Sequence, residues 1–381
     1  MHICLIAGTR PEVIKLGPVY HALRETDLFA PLDVRFMLTG QHRELARQAA
    51  HDMAIVPDAV FDFAPGTLGL GQVVAGLMNR IASHLDGAQA DLIVIQGDTN
   101  SALAGAMAGF YAGIPVAHVE AGLRSGDPGN PFPEEMNRRL IAHMATLHFA
   151  PTPAAARHLL REGVNPDRVA VTGNTIVDAV RAVVGQGPHN TLARQRNRRQ
   201  VLVTCHRREN WGDGIDQLCR ALQSLVAARP DIDVLFPVHG NPHVANRVRD
   251  RLAAHPHIRT SPPLAYGAFL AALRRSGLAI TDSGGVQEEA ACFATPLVIM
   301  RDKTERHESL DLGHTRLCRA HAAAIFAAAQ DLLNQPLVQA ASNNPFGDGH
   351  AAGRIVKALR RWHTRKAPLL PAADSFAGAP S

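Results

Sequence analysis

The sequence predicts an α/β protein with two doubly wound domains, each built on a parallel sheet. Short runs of Val, Ile and Leu alternate with amphipathic helical segments, as parallel strands covered on both faces require. The chain has 381 residues, which is enough for two domains of ordinary size. The alternation stops over residues 185–199, where Gly, Pro and Arg replace the apolar pattern and indicate a linker.

The apolar runs place the predicted strands in both halves of the chain. In the first half we expect strands at 3–7, 92–96 and 116–119, followed by helices at 11–24, 101–111 and 133–145. In the second half we expect strands at 201–204, 234–238, 278–281 and 296–300. We place the domain boundary between Gly173 and Arg199, giving domains 1–173 and 174–349, with a cleft that faces the carboxyl ends of both sheets. Residues 366–381 are low in complexity and are expected to be a disordered tail.

Composition excludes several classes of protein. Apolar residues make up 46% and charged residues 19%, which excludes a disordered or fibrous chain. The apolar runs are too short for a membrane span, and the chain opens directly into a predicted strand. The five cysteines form no CxxC pair, which predicts a reducing cytoplasm rather than disulfides or structural zinc. A net charge of +5 and 5% aromatic residues argue against nucleic-acid binding.

The strongest local motif is TDSGGVQEEA at residues 281–290. A predicted strand enters a turn with Gly284 and Gly285, and a helix begins at once. The free N–H groups and dipole of such a helix start favour an anion, and glycine lets a diphosphate approach the backbone. Glu289 would then lie near a ribose. The alternative is a helix capped by Ser283 without any ligand.

Carboxylates follow two predicted strands of the first half. Asp98 follows the strand at 92–96, and Glu120 follows the strand at 116–119. Glu134 and Glu135 open the helix after them. Because ligands bind at the carboxyl ends of strands in open α/β sheets, these acids are candidates for acid–base chemistry. Each of them taken alone also fits a structural role, and Glu134 and Glu135 also fit as partners of the helix dipole.

Basic residues follow the first strand of each half. Arg10 and Lys15 lie in or next to the GTRPE turn, where they could hold phosphate. His206 and Arg207 follow the strand at 201–204 and are expected to point into the cleft, although a histidine there is often structural. The chain contains no G-x-G-x-x-G, Walker or H-E-x-x-H motif, so we predict neither a dinucleotide cofactor nor a metal.

Together these strings resemble the non-hydrolysing UDP-N-acetylglucosamine 2-epimerases, from residue 3 to about 360. The motifs that carry the resemblance stand in the order of that family: GTRPEVIKLGPV (8–19), TGQHRE (39–44), QGDTNSALA (96–104), PVAHVEAGLRSGD (115–127), PFPEEMNRR (131–139), TGNTIVDA (172–179), HRREN (206–210), PVHGNP (237–242), TDSGGVQEEA (281–290), MRDKTER (300–306) and NPFGDG (344–349).

The resemblance implies a GT-B fold of two Rossmann-like domains, a final helix at about 350–363 packed on the first domain, and a homodimer. It implies interconversion of UDP-GlcNAc and UDP-ManNAc at C2 through a 2-acetamidoglucal, with no cofactor. The catalytic residues it implies are Asp98, Glu120, Glu134 and His206. The UDP-binding residues it implies are Arg10, Lys15, Phe269, Ser283, Gly284, Gly285, Glu289 and Arg306, and an allosteric site would use Gln41, Arg207 and His239.

The sequence departs from the family pattern at Cys205, at His307 and over 292–295 and 310–314, all in the predicted UDP-binding half. Three other functions therefore stay open. A GT-B glycosyltransferase would share the UDP site and pass the sugar to an acceptor. A hydrolysing epimerase would release free ManNAc and UDP. A nucleotide-sugar sensor would lack the three acids, which are present here.

Overall fold

The fold is described from a computed structural model, for residues 1–26, 32–63, 66, 68–185, 198–207, 210–238, 240–336 and 344–378. The chain divides into two compact units. The first unit contains Met1–Val183 and Pro345–Ser381, and the second contains Val184–Asn344.

The first unit contains, among its described residues, a seven-stranded sheet in the order β3-β2-β1-β4-β5-β6-β7. All of the strand pairings in this sheet are parallel. The strands are β1 (His2–Ala7), β2 (Asp33–Leu38), β3 (Ala59–Val60), β4 (Leu92–Gln96), β5 (Val116–Val119), β6 (Leu147–Ala150) and β7 (Val169–Val171). The helices are α1 (Arg10–Arg24), α2 (Arg43–Asp52), α3 (Leu70–Ala88), α4 (Asn100–Tyr111), α5 (Glu134–Met144), α6 (Pro153–Arg161), α7 (Thr175–Val184) and, after the second unit, α13 (Ala351–His363).

Helix α4 packs closely on the central strands because most of its buried residues are Ala or Gly. A Cβ added at Gly105 would lie 2.9 Å from Ile95 Cγ2, and one added at Gly109 would lie 2.6 Å from Val116 Cγ2. All five residues of β4 are buried, as expected for a strand covered on both faces. This close packing fixes the start of α4 directly beside the carboxyl end of β4.

The second unit repeats this architecture on a six-stranded parallel sheet, ordered β10-β9-β8-β11-β12-β13 among the described residues. Its strands are β8 (Arg199–Thr204), β9 (Ile232–Pro237), β10 (Ile258–Ser261), β11 (Leu278–Thr281), β12 (Leu297–Met300) and β13 (Thr315–Cys318). Its helices are α8 (Asp213–Ala228), α9 (Pro242–Leu252), α10 (Tyr266–Arg275), α11 (Gly284–Phe293) and α12 (Ala322–Asn334). The predicted doubly wound parallel sheets are therefore confirmed in both units.

The structure corrects the predicted domain limits. Helix α7, as far as Val183, and residues 345–349 group with the first unit, not with the second. The Asn174 N–H donates to the Phe346 carbonyl at 2.7 Å, and the Asp178 carboxylate accepts from the N–H groups of Ala351 and Ala352, which start α13. These contacts join the segment after β7 to the returning chain. Most of the predicted linker, residues 186–197, lies outside the described residues.

The prediction of a disordered tail is wrong for residues 366–378. Leu369, Leu370 and Phe376 are buried, and the Phe376 N–H donates to the Val171 carbonyl at 2.9 Å. Lys357 on α13 forms an ion pair with Asp374 at 2.6 Å. The prediction relied on the Ala- and Pro-rich composition of this segment and gave no weight to these three apolar side chains, which pack on the first unit. Among the described helices, none is both long and apolar enough to cross a membrane.

Candidate active site

In each unit the candidate site lies where the strand order reverses. In the first unit the central strands β1 and β4 are neighbours. From β1 the chain continues to β2 on one side of this pair, and from β4 it continues to β5 on the other side. In the second unit β8 and β11 hold the equivalent place. Such a switch point opens a crevice at the strand ends, which is where open α/β sheets bind ligands.

A buried glutamate joins the loops that follow β1 and β4, the two central strands of the first unit. The Glu12 carboxylate accepts hydrogen bonds from the N–H groups of Gly8 and Thr9, at 2.9 and 2.7 Å. It also accepts from the Thr99 hydroxyl at 2.6 Å, and Thr99 caps α4. Burial raises the pKa of Glu12 to about 7, although these hydrogen bonds favour its ionised form. Glu12 therefore fixes the loop after β1 against the loop that carries Asp98.

Asp98 lies at the carboxyl end of β4 and is held by an arginine of α5. Arg138 donates to Asp98 Oδ2 at 2.8 Å through Nε and contacts the same oxygen at 2.7 Å through Nη2. Its Nη1 donates to the fully buried Glu135 at 2.8 Å. The half-buried Glu134 precedes Glu135 as the first residue of α5. Arg138 thus connects the end of β4 to the acidic start of α5.

Glu120 follows β5 in an unusual backbone conformation. Its φ of +66° lies in the left-handed region, which a residue with a Cβ adopts only at a cost. The Lys15 ammonium and the Asn174 amide both donate to Glu120 Oε2, the latter at 2.9 Å. A Cβ placed on Gly97, next to Asp98, would lie 4.0 Å from Glu120 Oε1. Two of the predicted acids therefore occupy neighbouring strand ends.

A buried histidine connects the loops of these two acids. His118 Nε2 lies 2.8 Å from the Gly97 carbonyl oxygen, which can only accept, so Nε2 carries the proton. Burial lowers the pKa of His118 to about 4, and the ring is neutral at neutral pH. His118 precedes Glu120 by two residues, and Gly97 precedes Asp98. The histidine therefore fixes the spacing of the two loops.

The remaining predicted residues of the first unit surround the same strand ends. Arg10 is the half-buried first residue of α1. Lys15, predicted to bind UDP, lies against Glu120 as described above. Gln41, predicted for an allosteric site, accepts from the Ser101 N–H and hydroxyl at 3.0 and 2.7 Å at the start of α4.

The second unit presents the start of α11 at the end of β11, as the TDSGG motif predicts. Ser283 is the residue before the helix, and its N–H donates to the Thr281 hydroxyl at 3.0 Å. Ser283, Gly284 and Gly285 are all partly exposed. A Cβ at Gly284 would lie 2.5 Å from Arg306 Nη1, so a larger residue there would displace this guanidinium. The helix start and the arginine therefore form one positively polarised surface.

Arg306 is held in place by two buried carboxylates. Its Nε donates to Glu288 at 2.7 Å and its Nη1 donates to Glu305. Glu305 also accepts from Arg301 at 2.8 Å, and burial lowers the pKa of Arg301. Arg207 Nη2 lies 3.9 Å from Glu305. Three arginines thus share two glutamates in this network beside the start of α11.

His206 and Arg207 leave the end of β8 beside Asp282. The N–H groups of both residues donate to the Asp282 carboxylate, at 2.9 and 3.0 Å, and Arg207 Nε donates to the Asp282 carbonyl at 3.0 Å. The His206 side chain itself is exposed. Phe269 on α10 and Glu289 on α11 are buried. His239, predicted for the allosteric site, lies outside the described residues.

Several residues that organise the site were missed by sequence reasoning. Glu12 reads in the sequence as an ordinary partner of the helix dipole, and Asp282 as part of a turn. Arg138, Asn174 and Glu305 lie inside the motifs that carry the resemblance, but nothing in the sequence tells which residue each one contacts. Among the described residues, no cluster of His, Cys, Asp and Glu has the geometry of a metal site.

Comparison with known proteins decides the family. The family model described as UDP-N-acetylglucosamine 2-epimerase matches residues 24–360. The chain belongs to the UDP-N-acetylglucosamine 2-epimerase family. A relative of that name from Yersinia pestis is 39% identical over 373 residues, which cover 94% of this chain and 98% of the relative.

Solved epimerase structures share the whole fold. The Staphylococcus aureus MnaA–UDP co-structure superimposes with a TM-score of 0.90 at 33% identity, covering 99% of this chain and 100% of that one. The UDP-GlcNAc 2-epimerase from Neisseria meningitidis bound to UDP-GlcNAc gives 0.88 at 32% identity, covering 94% and 99%. The predicted membership of this epimerase family and the GT-B fold of two Rossmann-like domains are confirmed.

Proposed function

We propose that the chain interconverts UDP-N-acetylglucosamine and UDP-N-acetylmannosamine by eliminating and re-adding UDP, without net hydrolysis. Membership of the epimerase family supports the overall reaction. One solved relative is a co-structure with UDP and another is bound to UDP-GlcNAc, which supports the substrate. The observation that carries the proposal is the placement of Asp98 and Glu120 at neighbouring strand ends, each with a buried cationic partner.

The chemistry explains why several acids are needed. The C2 carbon of a pyranose has no adjacent carbonyl. Direct removal of its proton would leave an unstabilised carbanion, which is too costly. The C1–O bond must break first, with its electron pair leaving on the β-phosphate oxygen of UDP. The resulting oxocarbenium-like centre acidifies C2–H, and a carboxylate takes the proton to give 2-acetamidoglucal. We assign this work to Asp98, Glu120 and Glu134.

Elimination also needs a site that stabilises the leaving diphosphate. We assign this role to the start of α11 with Arg306 and His206, supported by the partly exposed helix start and the guanidinium that lies beside Gly284. Glu289, buried on the same helix, is assigned to the ribose. Arg10, the half-buried first residue of α1, is assigned to phosphate as well. Lys15 is assigned to Glu120 instead of to the phosphates, because it donates to that carboxylate.

Return of UDP completes the reaction. A proton is delivered to the opposite face of C2, and the β-phosphate oxygen attacks C1 to restore the glycosidic bond. Substrate and product have the same oxidation state, so the steps balance without an added oxidant or reductant. Water must be kept from C1 while UDP is detached, since its attack there would give the free sugar.

The products distinguish this mechanism from hydrolysis. Purified protein incubated with UDP-GlcNAc should give UDP-ManNAc at equilibrium, and incubation with UDP-ManNAc should give the same mixture. Anion-exchange chromatography of both reactions measures this directly. Stoichiometric free ManNAc and UDP, with no return from UDP-ManNAc, would assign the chain to the hydrolysing reaction instead.

We also propose that the protein is a cytoplasmic homodimer. Its five cysteines are scattered along the sequence and form no CxxC pair, which supports a reducing compartment. The neighbouring helices α4 and α5 expose Phe110, Tyr111 and Leu140, with 57%, 75% and 44% of their surface accessible. Large exposed apolar side chains on adjacent helices are typical of an interface, and a second copy of the chain is the partner that we propose.

A further inference from the structure

Asp282 is a fully buried carboxylate that receives most of its hydrogen bonds from the segment after β8. Its Oδ1 accepts from the His206 N–H at 2.9 Å. Its Oδ2 accepts from the Arg207 N–H at 3.0 Å, from the Asn210 side-chain amide at 2.8 Å, and from the Cys205 thiol at 3.4 Å. Asp282 directly precedes Ser283, the residue before α11. One side chain therefore connects the start of α11 to the backbone that carries His206.

We propose that Asp282 is a positioning residue that sets His206 and Arg207 relative to the start of α11. This inference rests on the proposed function, because His206 is assigned there to the leaving diphosphate. His206 and Ser283 come from different strands, β8 and β11, and the pairing of these strands ends at Thr204 and Thr281. Beyond that point the strand register no longer fixes the two loops. The four bonds to Asp282 continue the alignment past the end of the sheet.

The chemistry of the site requires a carboxylate at this position. Both oxygens of Asp282 only accept, and all four groups that face them are donors. An asparagine has the same shape but carries an NH2 group in place of one oxygen. Whichever way the amide is turned, that NH2 faces the N–H of His206 or of Arg207. A buried donor is then left without an acceptor, and the loop must move to satisfy it.

The first unit uses the same arrangement at its own switch point. Glu12 accepts from the N–H groups of Gly8 and Thr9 after β1, and from the Thr99 hydroxyl after β4. In each unit, therefore, a buried carboxylate joins the loops that follow the two central strands. The two carboxylates lie on different elements, since Glu12 belongs to α1, after β1, and Asp282 lies in the turn after β11. What they share is their role: each one aligns the two loops that follow the central strands of its own unit.

A double-mutant cycle between Asp282→Asn and His206→Asn tests the inference. If Asp282 acts through His206, Asp282→Asn should lower kcat by roughly 10- to 100-fold, with less than about a threefold change in the KM for UDP-GlcNAc. Adding it to His206→Asn should then lower kcat by less than about threefold further, because its effect is already lost. Multiplicative losses in the double variant would overturn the inference. Equal kcat for Asp282→Asn and wild type would overturn it as well.

Two further variants separate positioning from folding. Val203→Ala removes buried apolar volume from the neighbouring part of β8 without touching a polar contact, and it serves as the stability-matched control. It should lower the melting temperature while keeping kcat near the wild-type value. Asn210→Ala removes one of the four bonds and should lower kcat by less than Asp282→Asn does. A loss of kcat in Val203→Ala as large as that in Asp282→Asn would assign the effect to folding and contradict the inference.

Hydrogen exchange gives a readout that does not depend on activity. In the wild type the His206 and Arg207 amides should be protected, and in Asp282→Asn they should exchange at least about tenfold faster, with strands β8 and β11 unchanged. Unchanged protection would contradict the inference even if the enzyme is active. A wild-type protein that exchanges as expected but does not convert UDP-GlcNAc would contradict the proposed function alone.

Discussion

The Lys15 ammonium donates to the carboxylate of Glu120, and both side chains are almost completely buried. Asn174 donates to the same carboxylate oxygen at 2.9 Å. The pair joins helix α1 to the end of β5, where Glu120 has a left-handed backbone. The lysine thus belongs to the surroundings of an acid in the first unit, although its position after the GTRPE turn suggested a phosphate ligand.

Replacing Lys15 by Met should destabilise the protein by about 3–5 kcal/mol, because it leaves a buried carboxylate without its cationic partner. The double variant Lys15→Met/Glu120→Gln should recover most of that free energy of unfolding but should remain inactive. Urea denaturation of the wild type and of the two variants measures the free energies of unfolding, and steady-state kinetics measures the activity. No recovery in the double variant would argue against a dominant ion pair.

The acids and the UDP site should respond differently to mutation. Asp98→Asn, Glu120→Gln or Glu134→Gln should lower kcat by about 10²–10⁴-fold and leave UDP affinity nearly unchanged, as expected for groups that act on the sugar. Glu289→Ala should instead raise the Kd of UDP by about 10- to 100-fold, the cost of a lost charged hydrogen bond. Titration calorimetry with UDP and steady-state kinetics check both halves. The reverse pattern would exchange the roles assigned to the two units.

Glu12 should make stability depend on pH in an unusual direction. Its pKa is raised to about 7 in the folded protein, from 4.5 for an unperturbed glutamate. The folded state therefore binds the proton more tightly, and this contribution to stability, present below about pH 4.5, is lost as the pH rises toward 7. Glu12→Gln should remove about 3 kcal/mol of that change. The difference in unfolding free energy between wild type and variant, measured from pH 4.5 to 7.5, should vary with pH by that amount. A constant difference would mean that Glu12 is not proton-linked.

A buried histidine should give the opposite pH dependence. Burial lowers the pKa of His148 to about 3, from 6.5. Its neutral form contributes stability above about pH 6.5, and this contribution is lost as the pH falls toward 3. His148→Leu should therefore lose less stability than the wild type between pH 6.5 and pH 4, which urea denaturation at each pH will measure. A wild-type and a variant curve that run parallel would contradict a neutral, buried imidazole.

The apolar surface of α4 and α5 should hold the homodimer together. Tyr111→Glu or Leu140→Glu places a charge on this surface and should shift the protein to monomer in sedimentation velocity experiments. Val56→Glu is the matched control, because Val56 is 81% exposed and lies outside these helices. A dimer that withstands both α4/α5 variants must use another surface.

The sequence predicts the two parallel sheets well because their strands are strongly apolar. Strands such as Leu92–Gln96 and Leu297–Met300 are buried throughout, and the structure has them where the pattern places them. Shorter or more polar strands, such as Ala59–Val60 and Arg-containing Thr315–Cys318, were not predicted. These strands pair with the sheet through backbone hydrogen bonds, which do not depend on an apolar sequence pattern.

The site was harder to predict because its side chains pair across long stretches of chain. The positions of Asp98 and Glu120 at strand ends follow from local pattern alone. Their partners Arg138 and Lys15 do not, since the pairs are separated by 40 and 105 residues. The same applies to Asp282 and the segment after β8. Only the fold brings these groups together.

The most direct test of the account is proton NMR of UDP-GlcNAc incubated with the protein in deuterated water. If a carboxylate removes the C2 proton, the C2–H signal should disappear as deuterium enters from solvent, in both UDP-GlcNAc and UDP-ManNAc. Asp98→Asn and Glu120→Gln should slow this exchange in proportion to their loss of kcat. UDP-ManNAc formed with its original C2 hydrogen, or substrate left unchanged at high enzyme concentration, would contradict the central claim.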